Sequence, residues 1–288
     1  MIFRRHHVGI RPSFGDTLFR NIVITVATVF VVFPYYWMIL TSLKPARELM
    51  LSPTIFFPSY LEFSNYLKVW TTLPLIRYIG NSVFVAVSTT IICVLLSTMA
   101  GYSLSCFKTK IRNLSISLFL FTQLVPFMLP FISFYFMMFK LRLTNTYAGL
   151  IMAYSIWGIP FCTLMIRGYF TQAIHVSILE SARIDGCSKW GTFTRIALPL
   201  VTPGLVATAI FSFILAWNDF IWASVMLTDQ AKKPVSIGVY DYIGQWGSNV
   251  NIALTMATAV LITIPTMILF SFLQKNLVSG LSAGAVKG

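Results

Sequence analysis

The polar residues of this chain that could bind or react lie in a few places, and the longest of these is residues 171–200. This stretch contains Glu180 and Asp185, then Gly186, and it ends near Pro199, with a long apolar run on either side. A simple turn between two elements needs only a handful of residues. The extra length therefore predicts a docking surface, on which the carboxylates can pair with basic groups of another protein.

A second candidate site is the sequence Trp217-Asn218-Asp219, followed by Trp222, inside an apolar run. A carboxylate in hydrocarbon costs about 2.5–3.5 kcal/mol, so Asp219 is expected to face a partner, a cavity or the outer interface. Aromatic rings beside amide and carboxylate acceptors suit a sugar site, whereas tryptophans are also common at the headgroup level. Three consecutive helical residues fan over about 200° and cannot all face one cavity. Weaker candidates for the same pathway are Gln123, Tyr154 and Trp157.

The composition indicates that these residues belong to a membrane protein. The chain has 288 residues, of which 57% are hydrophobic and 10% are charged, and its mean hydropathy is +0.79. Soluble domains carry about 25% charged residues. Six intervals free of Asp, Glu, Lys and Arg each exceed the ~20 residues that a helix needs to cross the hydrocarbon core.

We therefore predict an all-α, polytopic membrane protein with one transmembrane domain over residues 1–288. The expected helices lie near 20–41, 80–105, 114–138, 146–166, 203–225 and 252–273. The side of the membrane that holds both termini carries the larger share of the 21 Lys and Arg residues. This bias predicts cytoplasmic termini, and it places the 171–200 loop in the cytoplasm as well.

Several functional classes lack the residues that they need. The net charge of +13 is spread over every loop without an aromatic-interleaved patch, so nucleic acid is not an expected partner. The sequence has no Walker A loop, no zinc motif, no nucleophile elbow and no metal-ligand spacing among its four cysteines. The chain is therefore not expected to be an enzyme, to hold a metal or to bind a cofactor of its own.

Within the 171–200 loop the residues predict a helix, a sharp turn and a second helix. Ser177 and Ser188 are the expected N-caps of the two helices, and Gly186 is placed to end the first in a left-handed conformation. Pro199 is expected to end the second helix, and Thr202 to cap the membrane helix that follows. The apolar residues expected to be buried are Ile178, Leu179, Ala182, Trp190 and Phe193.

The spacing of this loop resembles the EAA loop of permease subunits of binding-protein-dependent ABC importers. The matching residues are Glu180, Ser181, Ala182, Asp185, Gly186, Ile196, Leu198 and Pro199, with Ser181 where the family usually has alanine. Four further segments resemble the smaller permease of the maltose-transporter type, namely residues 41–45, 101–104, 217–220 and 280–288. The resemblance covers nearly the whole chain.

The resemblance implies a type I ABC importer permease that carries a sugar or oligosaccharide across a bacterial cytoplasmic (inner) membrane. It also implies a heterodimer with a second permease, two ATPase subunits that hold ATP and Mg²⁺, and an extracytoplasmic solute-binding protein. In that family the EAA loop docks on an ATPase subunit. The larger permease can hold most of the substrate contacts.

Two outer loops and the C-terminal tail complete the expectations. The loops 43–79 and 226–250 are long for simple turns, and in the maltose type the second of them probes the binding protein, which makes Tyr240, Tyr242 and Trp246 candidate contacts. The composition of the cytoplasmic tail, 275–288, predicts disorder, whereas the resemblance implies insertion between ATPase subunits.

Of three alternative functions, two require residues that the predicted spans largely lack. Polyol or glycerol-phosphate uptake fits the same architecture. A polytopic membrane enzyme, such as a lipid-modifying transferase, would need ionisable residues that converge at one membrane face, and a secondary transporter would need intramembrane ion ligands and inverted repeats. The predicted spans contain almost no ionisable residues.

Overall fold

The computed structural model describes residues 14–50, 56–107, 110–126, 129–242 and 252–285. In these segments the regular structure is helical, without a β-strand, which confirms the all-α prediction. The helices are α1 (Phe14–Ser42), α2 (Ser64–Thr72), α3 (Leu75–Cys106), α4 (Arg112–Leu124), α5 (Phe131–Lys140), α6 (Tyr147–Ala173), α7 (Val176–Ile184), α8 (Lys189–Leu200), α9 (Thr202–Asn218), α10 (Ile221–Met226), α11 (Val235–Gly238) and α12 (Ile252–Ala285). Short 3₁₀ turns occupy Ala46–Met50, Gln230–Lys232 and Val239–Tyr242.

Four of the described helices are long and apolar enough to cross a bilayer alone. They are α1, α3, α6 and the 252–272 part of α12. The other two predicted crossings, at 114–138 and 203–225, are each built from shorter helices. Six membrane crossings therefore stay a prediction. Two of the six would each consist of a helix that is interrupted.

The first interrupted crossing corrects the prediction of one continuous helix over 114–138. Helix α4 ends at Leu124 and α5 begins at Phe131. Val125 is extended, with ψ 119°, and it precedes Pro126. Proline disfavours the α conformation of the residue before it and cannot donate to the helix, so the sequence Val125 to Pro130 ends one helix and starts another.

The second interruption lies at the candidate site. Helix α9 ends at Asn218, Asp219 is extended with ψ 132°, and α10 begins at Ile221. The local sequence contains neither proline nor glycine, and its one local feature that favours a new helix start is Asp219, a residue type preferred at helix N-caps.

The C-terminal segment differs from its predicted disorder, because α12 continues to Ala285. The expected tail over 275–288 is therefore helical for most of its length. Its last three residues lie outside the described segments.

The centre of the bundle is made by α3, α6 and α9, each of which packs against the other two. Small and hydroxyl-bearing residues form much of the buried surface of α3 and α6, as expected where helices associate in lipid by close approach. A Cβ at Gly101 would lie 3.1 Å from the backbone nitrogen of Arg167. In contrast, the most apolar stretch of α1 has no buried residue. The surface of this stretch is therefore available to contact lipid or a second subunit.

Two clusters of buried side chains divide the core. The larger one surrounds Tyr78, Tyr154, Trp217 and Trp222. The smaller one contains seven buried residues. Its members are Tyr102, Ile166, Phe170, Ile174, Phe193, Ala197 and Val201.

We expect Gly149→Ala to destabilise the bundle. An added Cβ would lie 3.0 Å from the carbonyl carbon of Leu143 and 3.1 Å from Met226 Cε, and the backbone cannot rotate away. Overpacking of this kind costs about 1–3 kcal/mol. The matched control is Gly168→Ala in the same helix, where no atom lies within 4 Å, and there alanine is neutral or stabilises. Thermal unfolding of the detergent-solubilised variants measures both effects, and equal melting temperatures would contradict the packing.

Candidate functional site

Helix α7 ends in a turn that only glycine adopts at low cost. Gly186 has φ +76°, and its N–H donates to the carbonyl of Arg183 at 3.0 Å. The N–H of Cys187 donates to the carbonyl of Ala182 at 2.9 Å. These two bonds form a Schellman motif, which pairs helix-end carbonyls and sets the direction of the chain after α7. The structure therefore has the predicted left-handed glycine at position 186.

Helix α8 begins at the predicted cap, because Ser188 Oγ accepts the Gly191 N–H at 3.0 Å. The helix widens to a π-helical turn over 192–197, and α9 leaves its end at an angle of 78°.

Three predicted helix boundaries in the loop are wrong. Helix α7 starts one residue before Ser177, after His175, which makes no side-chain cap. Pro199 lies inside α8 rather than ending it. Thr202 caps nothing, since its hydroxyl donates back to the carbonyl of Pro199 at 2.9 Å.

An aromatic cluster fixes the coupling loop, which we define as residues 171–200, to the membrane helices. The Tyr102 ring of α3 lies 4.9 Å from the Phe193 ring of α8 and 5.5 Å from the Phe170 ring of α6, between centroids. Aromatic pairs at such separations add about 0.5–1.5 kcal/mol beyond area burial. Tyr102 lies in segment 101–104, which carries part of the family resemblance, but the sequence pattern does not indicate that it contacts the loop.

The residues of the EAA pattern divide between an exposed and a buried face. Glu180, Ser181, Asp185, Gly186 and Pro199 are exposed. Ala182 is buried, and Ile196 and Leu198 are half-buried. The loop therefore presents both carboxylates outward while its alanine packs inward.

Two large apolar side chains are also exposed on this loop. Ile184 is 86% exposed and Trp190 is 63% exposed, so the expectation that Trp190 is buried is wrong. An apolar residue turned outward beside carboxylates fits an interface. The exposure of Ile184 at the end of α7 was missed because periodicity alone does not fix where a short helix ends.

A cavity of about 280 Å³ gathers most of the predicted pathway residues. Its lining residues are Gln123, Tyr154, Trp157, Phe161, Phe211, Leu215, Asp219 and Trp222. The Asp219 carboxylate accepts two hydrogen bonds on one oxygen, from the Tyr154 hydroxyl at 2.8 Å and from the Ala223 N–H at 3.0 Å. The second bond satisfies a free N–H at the start of α10, as an N-terminal cap does.

Trp222 lines this cavity but is only 4% exposed. The Phe131 ring packs against it at 4.6 Å and the Phe134 ring at 4.9 Å, both edge-on. Trp222 therefore forms part of the packed wall of the cavity. The half-buried Trp157 is better placed than Trp222 to stack on a ligand in the cavity.

The other two residues of the Trp217-Asn218-Asp219 run face a second cavity. Trp217 and Asn218 line a space of about 370 Å³ together with Tyr35, Ser236 and Thr263, among others. Asp219 lines a different cavity because α9 ends at Asn218 and the extended backbone of Asp219 leaves the helical path.

The outer segment after α10 is tied to the bundle by side-chain hydrogen bonds. The Asn81 amide donates to the carbonyls of Ala231 and Lys233, each at 3.0 Å, and it accepts from the Tyr147 hydroxyl at 2.8 Å. Ser236 Oγ donates to the backbone carbonyl of Asp219 at 2.6 Å. The base of this outer loop is therefore held next to the helix break.

Of the three predicted binding-protein contacts, only Tyr240 has a described side chain. Its ring is 52% exposed and stacks on Phe220 at 4.3 Å. Tyr242 ends the last 3₁₀ turn, and Trp246 lies outside the described residues.

No cluster of three or more His, Cys, Asp or Glu side chains that could hold a metal occurs among the described residues.

Comparison with known proteins gives matches over most of the chain. Residues 93–283 match the family model described as the binding-protein-dependent transport system inner membrane component. An arabinooligosaccharides transport system permease of Halalkalibacterium halodurans is 34% identical over 260 residues, which cover 89% of this chain and 91% of that protein. A trehalose/maltose transport system permease of Thermococcus litoralis is 35% identical over 269 residues and 89% of this chain, and 91% of that protein is covered. A sulfoquinovosyl glycerol transport system permease of Agrobacterium fabrum is 30% identical over 97% of each chain.

The fold also matches a solved structure. A bacterial ABC transporter that imports the acidic polysaccharide alginate contains a chain similar to this one with a TM-score of 0.79. The alignment covers 92% of this chain and 98% of that chain at 21% sequence identity, so this likeness supports the fold alone.

The turn at Gly186 generates a prediction for the coupling loop. Gly186→Val places a β-branched residue at positive φ, where the strain costs about 1–3 kcal/mol, so the Schellman motif should open. Asparagine tolerates this region better, which makes Gly186→Asn the matched control. Limited trypsin digestion of the folded protein should cleave faster after Arg183 and Lys189 in the valine variant only. Identical cleavage rates in wild type and both variants would contradict the assignment.

Proposed function

This chain belongs to the family of binding-protein-dependent transport system inner membrane components, and on this premise we propose that it is the permease subunit of an ATP-driven sugar or oligosaccharide importer. The family is one of multi-pass inner membrane proteins with a type I permease fold. The substrate class follows from the relatives, whose names specify arabinooligosaccharides, diacetylchitobiose and trehalose/maltose.

The observation that carries this proposal is the geometry of the coupling loop. Its second helix, α8, is fixed to the core by the Tyr102–Phe193 contact, and its first helix, α7, carries the exposed Glu180 and Ile184. A rigid loop with a charged and apolar outer face suits docking on an ATPase subunit. Movement of the ATPase would then be transmitted to the permease, and movement of the permease to the ATPase.

The cavity at Asp219 supports a role in translocation. It brings aromatic rings together with one carboxylate, one amide and one phenol inside the helix bundle. Small-molecule sites are mostly apolar with a few placed polar groups, and this cavity follows that pattern. A second permease would complete the pathway, and the exposed apolar face of α1 offers a surface for it.

The remaining partners are an extracytoplasmic solute-binding protein and two ATPase subunits, which would supply the ATP and Mg²⁺ sites. The second permease would make a heterodimer, and both termini would lie in the cytoplasm. Tyr240, Tyr242 and Trp246 would contact the binding protein.

The direct test reconstitutes the two permeases with their ATPase subunits in proteoliposomes and adds the binding protein. We expect uptake of a labelled oligosaccharide that requires both ATP and the binding protein. Uptake that continues without either component would refute an ATP-driven importer.

Glu180 is expected to couple hydrolysis to transport. On the exposed face of α7 its carboxylate would pair with a basic residue of the ATPase, and truncating one partner of such a pair costs about 2–5 kcal/mol when it is buried. Glu180→Lys places like charges together and should abolish substrate-stimulated ATP hydrolysis in reconstituted complexes, whereas Glu180→Gln should lower it less. Unchanged stimulation in the lysine variant would mean that Glu180 is only solvated.

Asp219 is expected to support transport through the cavity. Asp219→Ala leaves the Tyr154 hydroxyl and the Ala223 N–H unpaired, at a cost of about 1–3 kcal/mol for each buried group, so uptake should fall about 10-fold or more. Trp222→Ala should also lower uptake, because it removes a wall of the cavity. Ser224→Ala is the control, since that hydroxyl bonds only within its own helix turn.

Asp219→Cys tests access in a background without the native cysteines. A water-soluble thiol reagent should label it in at least one state of the cycle. Absence of labelling in every state, together with normal uptake by both alanine variants, would remove this segment from the pathway.

A further inference from the structure

Family membership leaves the charge of the substrate open. Relatives similar to this chain include permeases named for neutral saccharides, such as trehalose and maltose, and one named for sulfoquinovosyl glycerol, which carries a sulfonate. The structural neighbour imports the acidic polysaccharide alginate. The polar groups of the cavity at Asp219 bear directly on this question.

The cavity contains a carboxylate without a compensating cation. Among its lining residues the ionisable side chains are Asp219 and Tyr154, and none is a lysine, arginine or histidine. The carboxylate accepts hydrogen bonds from two neutral donors, the Tyr154 hydroxyl and the Ala223 N–H, so its contacts within the cavity do not include a cation.

On α6 and α9, the two long helices that line this cavity, the basic residues lie far from it along the chain. The nearest one in sequence to Trp157 on α6 is Arg167, ten positions further on, which corresponds to about 15 Å along a helix. On α9 no basic residue occurs between Arg195 and Asp219. An anionic sugar in this cavity would therefore meet a negative group and no basic side chain of this chain's lining.

The rest of the lining fits the uncharged faces of a sugar. The Phe161 and Phe211 rings stack at 4.2 Å between centroids, and Trp157 is half-buried beside them. The Gln123 side chain is exposed at the rim and supplies both a donor and an acceptor. The carboxylate and the amide can bind sugar hydroxyls, whereas an acidic sugar would have to approach Asp219 as a like charge.

Resting on the proposed function, we propose that this cavity selects uncharged saccharides and discriminates against uronic acids and sulfonated sugars. At an effective dielectric constant of about 20, two like charges about 6 Å apart repel enough to weaken binding about 100-fold. Asp219 thus acts as a specificity-determining residue in addition to closing the helix break.

The test measures sugar binding to the assembled transporter in nanodiscs by isothermal titration, without the binding protein, so that its own selectivity does not enter. The neutral probes are maltose, trehalose, an arabinooligosaccharide and diacetylchitobiose, and the anionic probes are a dimannuronate and sulfoquinovosyl glycerol. We expect at least one neutral probe to bind at least 10-fold more tightly than either anionic probe.

Asp219→Asn removes the charge and keeps an acceptor for Tyr154 and Ala223. It should raise the affinity for the anionic probes about 10- to 100-fold relative to the neutral ones. Asp229→Asn makes the same chemical change in the outer segment and should leave the ratio unchanged. If Asp219→Asn does not assemble, Gln123→Lys, which adds a cation at the rim, should shift the ratio in the same direction.

Anionic probes that bind wild type as tightly as neutral ones, or a ratio that Asp219→Asn or Gln123→Lys leaves unchanged, would overturn the inference. Binding of no probe while ATP-driven sugar uptake persists would also overturn it, but would leave the proposed function intact. Loss of ATP-driven uptake for every saccharide in the reconstituted wild type would instead refute the proposed function.

Discussion

The bilayer requires that backbone N–H and C=O groups find partners within the protein, and at the break after Asn218 side chains next to the break supply some of these partners. At the break after Asn218, the Asp219 carboxylate accepts the Ala223 N–H, and Ser236 Oγ donates to the Asp219 carbonyl. At the proline-rich interruption between α4 and α5, the Pro126 and Pro130 rings themselves carry no N–H to leave unpaired. Interrupted helices are tolerated in membrane proteins where they are buried or line a cavity, and the break at Asp219 lines one.

Helix α9 joins the two candidate sites. It leaves the coupling loop at the 78° bend and ends at the Asp219 break, and its 17 residues span about 26 Å. Its first turn packs closely on α6, since a Cβ at Gly204 would lie 2.6 Å from the Tyr169 ring. A rigid element with the coupling loop at one end and a cavity wall at the other has the geometry needed for movement at the loop to reach the cavity. The close packing at Gly204 leaves little space between α6 and the first turn of α9.

The sequence predicts the class of fold well, because the energetic penalty for charges in hydrocarbon leaves long charge-free runs that are visible without any structure. It also predicts the two features that depend on local chemistry, the left-handed Gly186 and the Ser188 cap. It does not predict the break at Asp219 or the anchor at Tyr102. Asp219 contacts Tyr154, 65 positions away along the chain, and Tyr102 contacts Phe193, 91 positions away, and hydropathy contains no information on which side chains meet. The failed caps at Ser177 and Thr202 have the same origin, since helix ends are set by packing as well as by local propensity.

The sparse polar lining of the cavity agrees with what transport demands of a binding site. A translocation pathway must bind its substrate well enough to admit it and weakly enough to release it, a balance that also governs conduction through channels. Strong, fully satisfied polar contacts would hold a sugar in place. In this cavity the one carboxylate already accepts hydrogen bonds from two donors of the protein, so the hydroxyl of a sugar bound as proposed would compete for an acceptor that is partly occupied. Hydrogen bonds that exchange one partner for another contribute little net free energy. The same hydrogen bonds that close the helix break would therefore keep sugar binding weak, so Asp219 would combine its structural role with the transport role proposed for it.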